Sequence, residues 1–340
     1  MGNKTKGFLL KLNIITAISV QIINVVYGLL LPKYFLIYYG SEINGLVSSI
    51  QQYLGMISFC ELGVGAVIQS ALYRPLAKQD FDTINCIMSE ARVFFRKIAG
   101  ILCVYVGIMF FLYPIFINNS FGFITTSCLI IAVAVNLFSQ YYFGLANQLL
   151  LNADQKLYVN YSLQIISTVL TAIISIYLIV LDFSIELVKL LTSLIFLLRP
   201  IFLYIYVKNH YPITTDKKND SAYLTQKWNG VIHHISYVIV EHTDVVVLTI
   251  FSTLTNVSIY YVYYMVVSGI KALVTNALSG VQSLLGNLYV TKSKTEVNDY
   301  FDIIEWSIHF VSTLIFGITA RLIVPFVKVY TRDIVDANYI

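Results

Sequence analysis

Charge is what this sequence is short of. Aspartate, glutamate, lysine and arginine together make up 12% of its 340 residues, against about 25% in a soluble domain. No polar run is long enough to form a separate water-soluble domain. Cysteine is scarce as well. Cys60, Cys86, Cys103 and Cys128 show no CxxC or metal-ligand spacing, which argues against a disulfide framework or a zinc module. Three of the four lie in apolar runs, where they read as small hydrophobes. The sequence has no phosphate-cradling glycine loop, no cluster of metal ligands and no nucleophile with its base. Nothing here reads as an enzyme, and neither a cofactor nor a nucleic-acid partner is expected.

Apolar side chains take the place of charge, at 58% of the residues and a mean hydropathy of +0.75. The composition predicts an all-α integral membrane protein. Runs of roughly 20 apolar residues, the length a bilayer requires, occur at 9–31, 44–71, 93–117, 123–150, 158–181, 185–207, 231–251, 257–288 and 303–324, about nine in all. The N-terminus, MGNKTKGFLLKLN, is basic and then hydrophobic, but no A-x-A-like cleavage site follows, so it reads as an uncleaved first helix.

Lysine and arginine set the expected orientation. With the N-terminus cytoplasmic, fifteen of the 22 fall in inner segments, and Lys33, Lys328 and Arg332 fall outside. Lys189, Arg199, Lys271 and Arg321 lie within spans. The same bias supports the span count, because one missed helix would scramble the alternation. The expectation is a multi-pass protein of a cell membrane, N-terminus inside.

The longest connection, 208–230, is polar, basic and on the cytoplasmic side, with Trp228 suited to an interfacial anchor. It divides the chain into a six-helix lobe at 1–207, a linker at 208–230 and the beginning of a second lobe at 231–340 with three spans. A fixed offset of about 216 aligns Lys11 and Asn13 with Lys227 and Asn229, Leu72-Tyr73 with Leu288-Tyr289, and Lys78 with Lys294. Both halves would then start from the same side, as parallel repeats related by an axis along the membrane normal.

The span at 231–250, VIHHISYVIVEHTDVVVLTI, is the unusual one. At about 100° per residue, His233, His234, Tyr237, Glu241 and Asp244 share an arc of about 100°, and His242 lies apart. A membrane helix carries ionisable groups where that face looks into protein or water, since against lipid they are costly.

The stretch Leu31–Asp80 contains Gly40-Ser41-Glu42, Asn44-Gly45-Leu46, Glu61-Leu62-Gly63 and Leu72-Tyr73-Arg74-Pro75-Leu76-Ala77. With Thr243-Asp244-Val245-Val246-Val247-Leu248, Gly286-Asn287-Leu288 and Tyr330-Thr331-Arg332-Asp333-Ile334 further on, it resembles the polysaccharide and O-antigen flippases (Wzx type) of the multidrug/oligosaccharidyl-lipid/polysaccharide superfamily. The resemblance implies a MATE-like bundle. It also implies alternating access that moves undecaprenyl-pyrophosphate-linked oligosaccharide across the bacterial inner membrane, alongside a polysaccharide polymerase and glycosyltransferases. It further implies twelve or fourteen spans. A chain of about nine, with Asp336–Ile340 as the lead-in to a tenth, is therefore expected to be a fragment with an incomplete second lobe.

The substrate or ion pathway candidates are Glu241, Asp244, Lys271, Glu61, Asn24, Gln51 and Gln52. Glu241 and Asp244 suit proton or sodium coupling, or a switching ion pair. Lys271 lies midway along its span at the depth of Glu241, so the two are expected to approach, or Lys271 to meet an anionic pyrophosphate. Glu61 adjoins the small-residue patch Gly63–Ala66 and is expected to pair across that helix contact or near the inner surface. Asn24, Gln51 and Gln52 offer hydrogen bonds to sugar hydroxyls or to neighbouring helices. Rival readings are a cation-coupled drug exporter of the same fold, a membrane glycosyltransferase or polymerase, and a nonfunctional truncated product.

Overall fold

The computed structural model describes residues 3–117, 121–212, 231–291 and 293–340, with only the backbone for 3–8, 10 and 276–291. The central linker, Trp228 and the Asn118–Ser120 turn lie outside the described residues. About 90% of the structure is helix, with no strand among the described residues. The elements are α1 (Asn3–Gly55), a 3-10 turn (Met56–Glu61), α2 (Val64–Lys78), α3 (Phe81–Phe116), α4 (Gly122–Ser139), a π-turn (Gln140–Gly144), α5 (Leu145–Ala153), α6 (Leu157–Val180), α7 (Ile185–Phe196), α8 (Leu198–His210), α9 (Val231–Phe251), α10 (Leu254–Thr291) and α11 (Lys294–Tyr330).

Eight stretches are long and apolar enough to cross a membrane, among the described residues. The expected nine differ in one place: Lys11–Glu61 counts once, as 51 residues. At about 1.5 Å per residue that is more than twice a hydrocarbon core of roughly 30 Å. The length is accommodated by a break at Gly40 (φ 84°, ψ 171°), a backbone conformation that L side chains essentially never adopt. The hydrogen bonds show that the chain reverses there. Before the break, Asn13 meets Gln155 and Tyr158, and Tyr39 meets Phe183, so this limb runs parallel to α6. After it, Ser49 meets Tyr113 and Tyr53 meets Tyr105, so the second limb runs antiparallel to α3. Two expected spans are present, joined by a single residue.

Exposed side chains form the pattern expected of helices in lipid. On the first limb of α1, Ile15, Ile18, Ile22, Val26 and Leu30 are exposed, and on α3 so are Ile101, Val104, Ile108, Phe111 and Ile115. Both sets repeat every three or four residues, an apolar stripe turned outward. The opposite faces pack into two clusters. One centres on Ile68, Leu72, Ile84, Phe95, Leu150 and Leu203, the other on Leu46, Ile50, Leu54, Leu129, Ile179 and Val188.

The second expected span, 44–71, is not one helix. α1 ends at Gly55, the 3-10 turn follows, and Leu62 (φ 51°) and Gly63 (φ 71°) are both left-handed before α2 starts. The apolar run is continuous, but its backbone is not. The connection Gln79–Asp80 is tight, and Asp80 caps α3, its Oδ1 accepting from the Thr83 amide at 3.1 Å and Oδ2 from the Thr83 hydroxyl at 2.6 Å. Those bonds hold the Asp80 carboxyl below its usual range.

The chain divides into two compact units, Met1–Val257 and Ser258–Ile340. The helix expected to open a second lobe, α9, therefore belongs to the first unit. In the second unit α11 begins at a capping box, with Ser293 and Glu296 bonding each other's backbone amides. Its last turn is followed by a non-helical tail. Tyr339 is buried there, its hydroxyl 3.0 Å from that of Ser258, while its carbonyl accepts from the Tyr263 hydroxyl at 2.7 Å. The stretch Asp336–Ile340, expected as the lead-in to a helix, is a docked strap.

Candidate functional site

The second limb of α1 is the surface on which α9 is mounted. One stripe of α9 makes the contact: His234, Val238, His242, Val245 and Thr249, spaced by four, four, three and four residues. Val238, Val245 and Thr249 are buried. At the C-terminal end of the stripe three hydroxyls form a chain. Tyr113 donates to Ser49 at 2.7 Å, Ser49 to Thr249 at 2.8 Å, and Thr249 to the Val245 carbonyl at 2.7 Å. Each hydroxyl spends its one proton, so the buried chain is satisfied along its length.

Midway along the stripe, His242 Nδ1 lies 2.5 Å from Gln52 Oε1. The amide oxygen can only accept, so this ring nitrogen carries the proton. A Cβ on Gly55 would come within 2.6 Å of the His242 ring, so glycine is what lets the imidazole lie flat on α1. At the N-terminal end His234 Nε2 donates to the Ser58 carbonyl at 2.8 Å, one of the carbonyls that the 3-10 turn leaves exposed to a side-chain donor. His242, which the helical projection sets apart, and His234 are thus the two histidines that anchor α9.

Beside this stripe, about a quarter-turn away, runs the face with Glu241 and Asp244. Glu241 is half-buried and Asp244 exposed, and neither belongs to the anchoring stripe. Glu241 stands at the centre of the 21-residue helix. A carboxylate facing lipid at that depth would cost roughly 3 kcal/mol, so this face requires water or protein opposite it. Lys271 is a half-buried residue of α10 in the second unit, so its expected approach to Glu241, which joins the two units, remains an expectation.

Glu61 does pair across a helix contact. The Tyr141 hydroxyl donates to Glu61 Oε1 at 2.6 Å. Both partners sit where the α-helical ladder is interrupted, Glu61 at the end of the 3-10 turn and Tyr141 inside the π-turn. Interruptions of this kind turn a side chain out of its regular register and are frequent at functional sites. The small patch beside Glu61 packs on α5, with Gly65 facing Leu149.

The remaining candidates divide. Gln52 is committed to His242. Asn24 is half-buried and Gln51 exposed, and neither makes a side-chain hydrogen bond among the described residues, which leaves both able to meet a ligand. Asn13 serves the packing of the bundle instead. Its Oδ1 accepts from the Tyr158 amide at 2.9 Å and its Nδ2 donates to the Gln155 carbonyl at 2.7 Å, capping α6 from another helix.

Sequence reasoning passed over a set of arginines at the basic end of the bundle. Arg92 donates to Asn147 Oδ1 at 3.3 Å, Arg96 lies 4.9 Å from the Tyr142 ring centre, and Arg199 donates through Nε and Nη2 to Asn160 Oδ1 at 3.3 and 3.0 Å. All three touch neutral partners. An ion pair joins Lys156 to Asp154 at 2.8 Å. It holds the start of α6 to Tyr211, whose hydroxyl donates to Asp154 and accepts from Lys156 at 3.1 Å. Burial, and then the Asp154 carboxylate, raise the Tyr211 phenol above its ordinary value. No group of three or more metal-ligating side chains occurs among the described residues.

The site is thus a polar-faced membrane helix, clamped by neutral hydrogen bonds that leave its carboxylates at the edge of the contact. Scans against protein-family models, curated proteins and solved structures find no match to the chain.

Proposed function

We propose that this protein is a flippase of MATE-like fold that carries polyprenyl-pyrophosphate-linked oligosaccharide across a bacterial inner membrane for surface polysaccharide synthesis. The observation that carries the reading is the division of labour on α9. His234, His242 and Thr249 make anchoring contacts, while Glu241 and Asp244 stand on a neighbouring face suited to a wet pathway. In this reading, Lys271 meets the pyrophosphate, Glu241 and Asp244 couple proton or sodium movement to reorientation, and Asn24 and Gln51 hydrogen-bond sugar hydroxyls. The reading is further supported by the polysaccharide-flippase motifs at Leu31–Asp80 and Thr243–Leu248.

Deleting the gene should make lipid-linked repeat units accumulate on the cytoplasmic face, and the wild-type chain should relieve the block. Glu241→Gln and Asp244→Asn should each reduce that relief by at least about tenfold, the scale on which loss of one required charge acts. Unchanged surface polysaccharide with reduced dye efflux would instead assign the chain to cation-coupled drug export, the reading that two carboxylates on one face would also suit.

A further inference from the structure

Arg199 is a half-buried cation at the basic end of the bundle whose neighbours leave it incompletely used. A guanidinium has five N–H groups in a fixed fork. Nε and Nη2 share one acceptor, the oxygen of buried Asn160, so three N–H groups have no acceptor among the described residues. A small cleft opens beside it between the π-turn and α5 on one side and α8 on the other, lined by Arg199, Gln140, Gln148 and Pro200 among others. The cleft is held narrow by the approach of Gly144 to Pro200, where a Cβ would come within 3.1 Å. Its polar walls are partly exposed.

The depth is that of lipid headgroups. α3 has 36 residues, and counting back roughly 20 residues, one bilayer's worth, from its end at Phe116 reaches Lys97, next to Arg96. The same count back from Val180 on α6 reaches Tyr161, next to Asn160, the partner of Arg199. Arg92, Arg96 and Arg199 therefore gather at one membrane interface. On α8, Leu198 and Phe202, within one turn of Arg199, are exposed at 40% and 49%.

We propose that Arg199, at the mouth of this cleft, binds the phosphate of an anionic phospholipid from the leaflet that the basic helix ends face. The free N–H groups of Arg199 grip the phosphate oxygens, Gln140 and Gln148 donate from the opposite wall, and the acyl chains lie along Leu198 and Phe202. Planar bidentate recognition of phosphate by arginine and basic pockets between membrane helices supply the chemistry. A free phosphate ion would use the same donors, but it would gain nothing from the apolar flank, which favours the lipid. The inference is independent of the flippase reading.

The test uses the full chain in vesicles of phosphatidylcholine alone or mixed with phosphatidylglycerol, reading the unfolding midpoint and, by native mass spectrometry, the phosphatidylglycerol retained. Phosphatidylglycerol should raise the wild-type midpoint. Arg199→Gln should weaken its retention about tenfold and abolish most of the shift. Gln148→Leu leaves the Arg199–Asn160 bond intact, so it keeps the test decisive should Arg199→Gln fail to fold; it should weaken retention about threefold. Arg74→Gln, at an exposed position, should behave as wild type. An undiminished lipid effect in both cleft variants, an equal loss in Arg74→Gln, or a wild-type shift reproduced by inorganic phosphate would each overturn the proposal.

Discussion

The hydroxyl of Ser49 is completely buried, yet it is the link through which α3 reaches α9. In a membrane interior, an interhelical hydrogen bond contributes about 0.6 kcal/mol on average and up to roughly 1.7. Ser49→Ala removes two at once and leaves Tyr113 without its acceptor, so a loss of about 1–2 kcal/mol is expected in reversible unfolding. Combining it with Thr249→Val should cost less than the two separate losses together, because both changes break the same chain. Gly55 supplies a second measurement. Gly55→Ala drives a methyl into the His242 ring and should destabilise by about 1–3 kcal/mol, while adding His242→Ala should recover part of that loss. If the double variant is no better than Gly55→Ala alone, the close approach does not govern this contact. Ser49, Thr249 and Gly55 do not stand out in the sequence. Serine, threonine and glycine carry no charge and barely disturb hydropathy, so a search for ionisable groups finds Glu241 and Asp244 and passes over the contacts that hold their helix.

At the scale of elements, apolar runs located most of the helices because length and hydropathy are what a bilayer selects. Where the helices break was less legible. The left-handed pair Leu62-Gly63 and the π-turn at Gln140–Gly144 lie inside uninterrupted apolar sequence, and hydropathy is blind to backbone dihedrals. The Glu61–Tyr141 contact follows from both breaks, so a partner for Glu61 could be expected but not named. Gly40 is a clearer case, since its dihedrals exclude other residues. Gly40→Ala should cost about 1–3 kcal/mol, seen as a lower unfolding midpoint. The cap on α3 should respond to pH. Folding lowers the Asp80 carboxyl, so its contribution is complete above the unfolded value of about 3.9 and is lost as pH falls through the lower folded value. Protection of the Thr83 amide, relative to its intrinsic exchange, should therefore fall on acidification below about pH 4. In Asp80→Asn that protection should not change with pH.

For the whole molecule, a helical, multi-pass architecture was legible from the low charge content together with the long apolar runs, because so few charged groups cannot cover a water-soluble surface of this size and the runs have the length a bilayer requires. The partition into units was not: α9 follows the long linker in sequence, yet its histidines and Thr249 tie it to α1. Sidedness is open to direct measurement. In a variant with its four cysteines replaced by serine, Ser184→Cys, in the exposed α6–α7 turn, should react with an impermeant maleimide in intact cells. Lys78→Cys, at the end of α2, should react only after permeabilisation. The opposite pattern would invert the proposed topology. Most membrane hairpins spend a loop on turning round, and a loop tolerates insertions and sequence drift. Here one glycine sets the parity of the chain: the face of the membrane assigned to every later turn depends on the reversal at residue 40. A variant that straightened α1 at that point would not just lose stability, but would present the chemistry of each downstream segment to the wrong compartment.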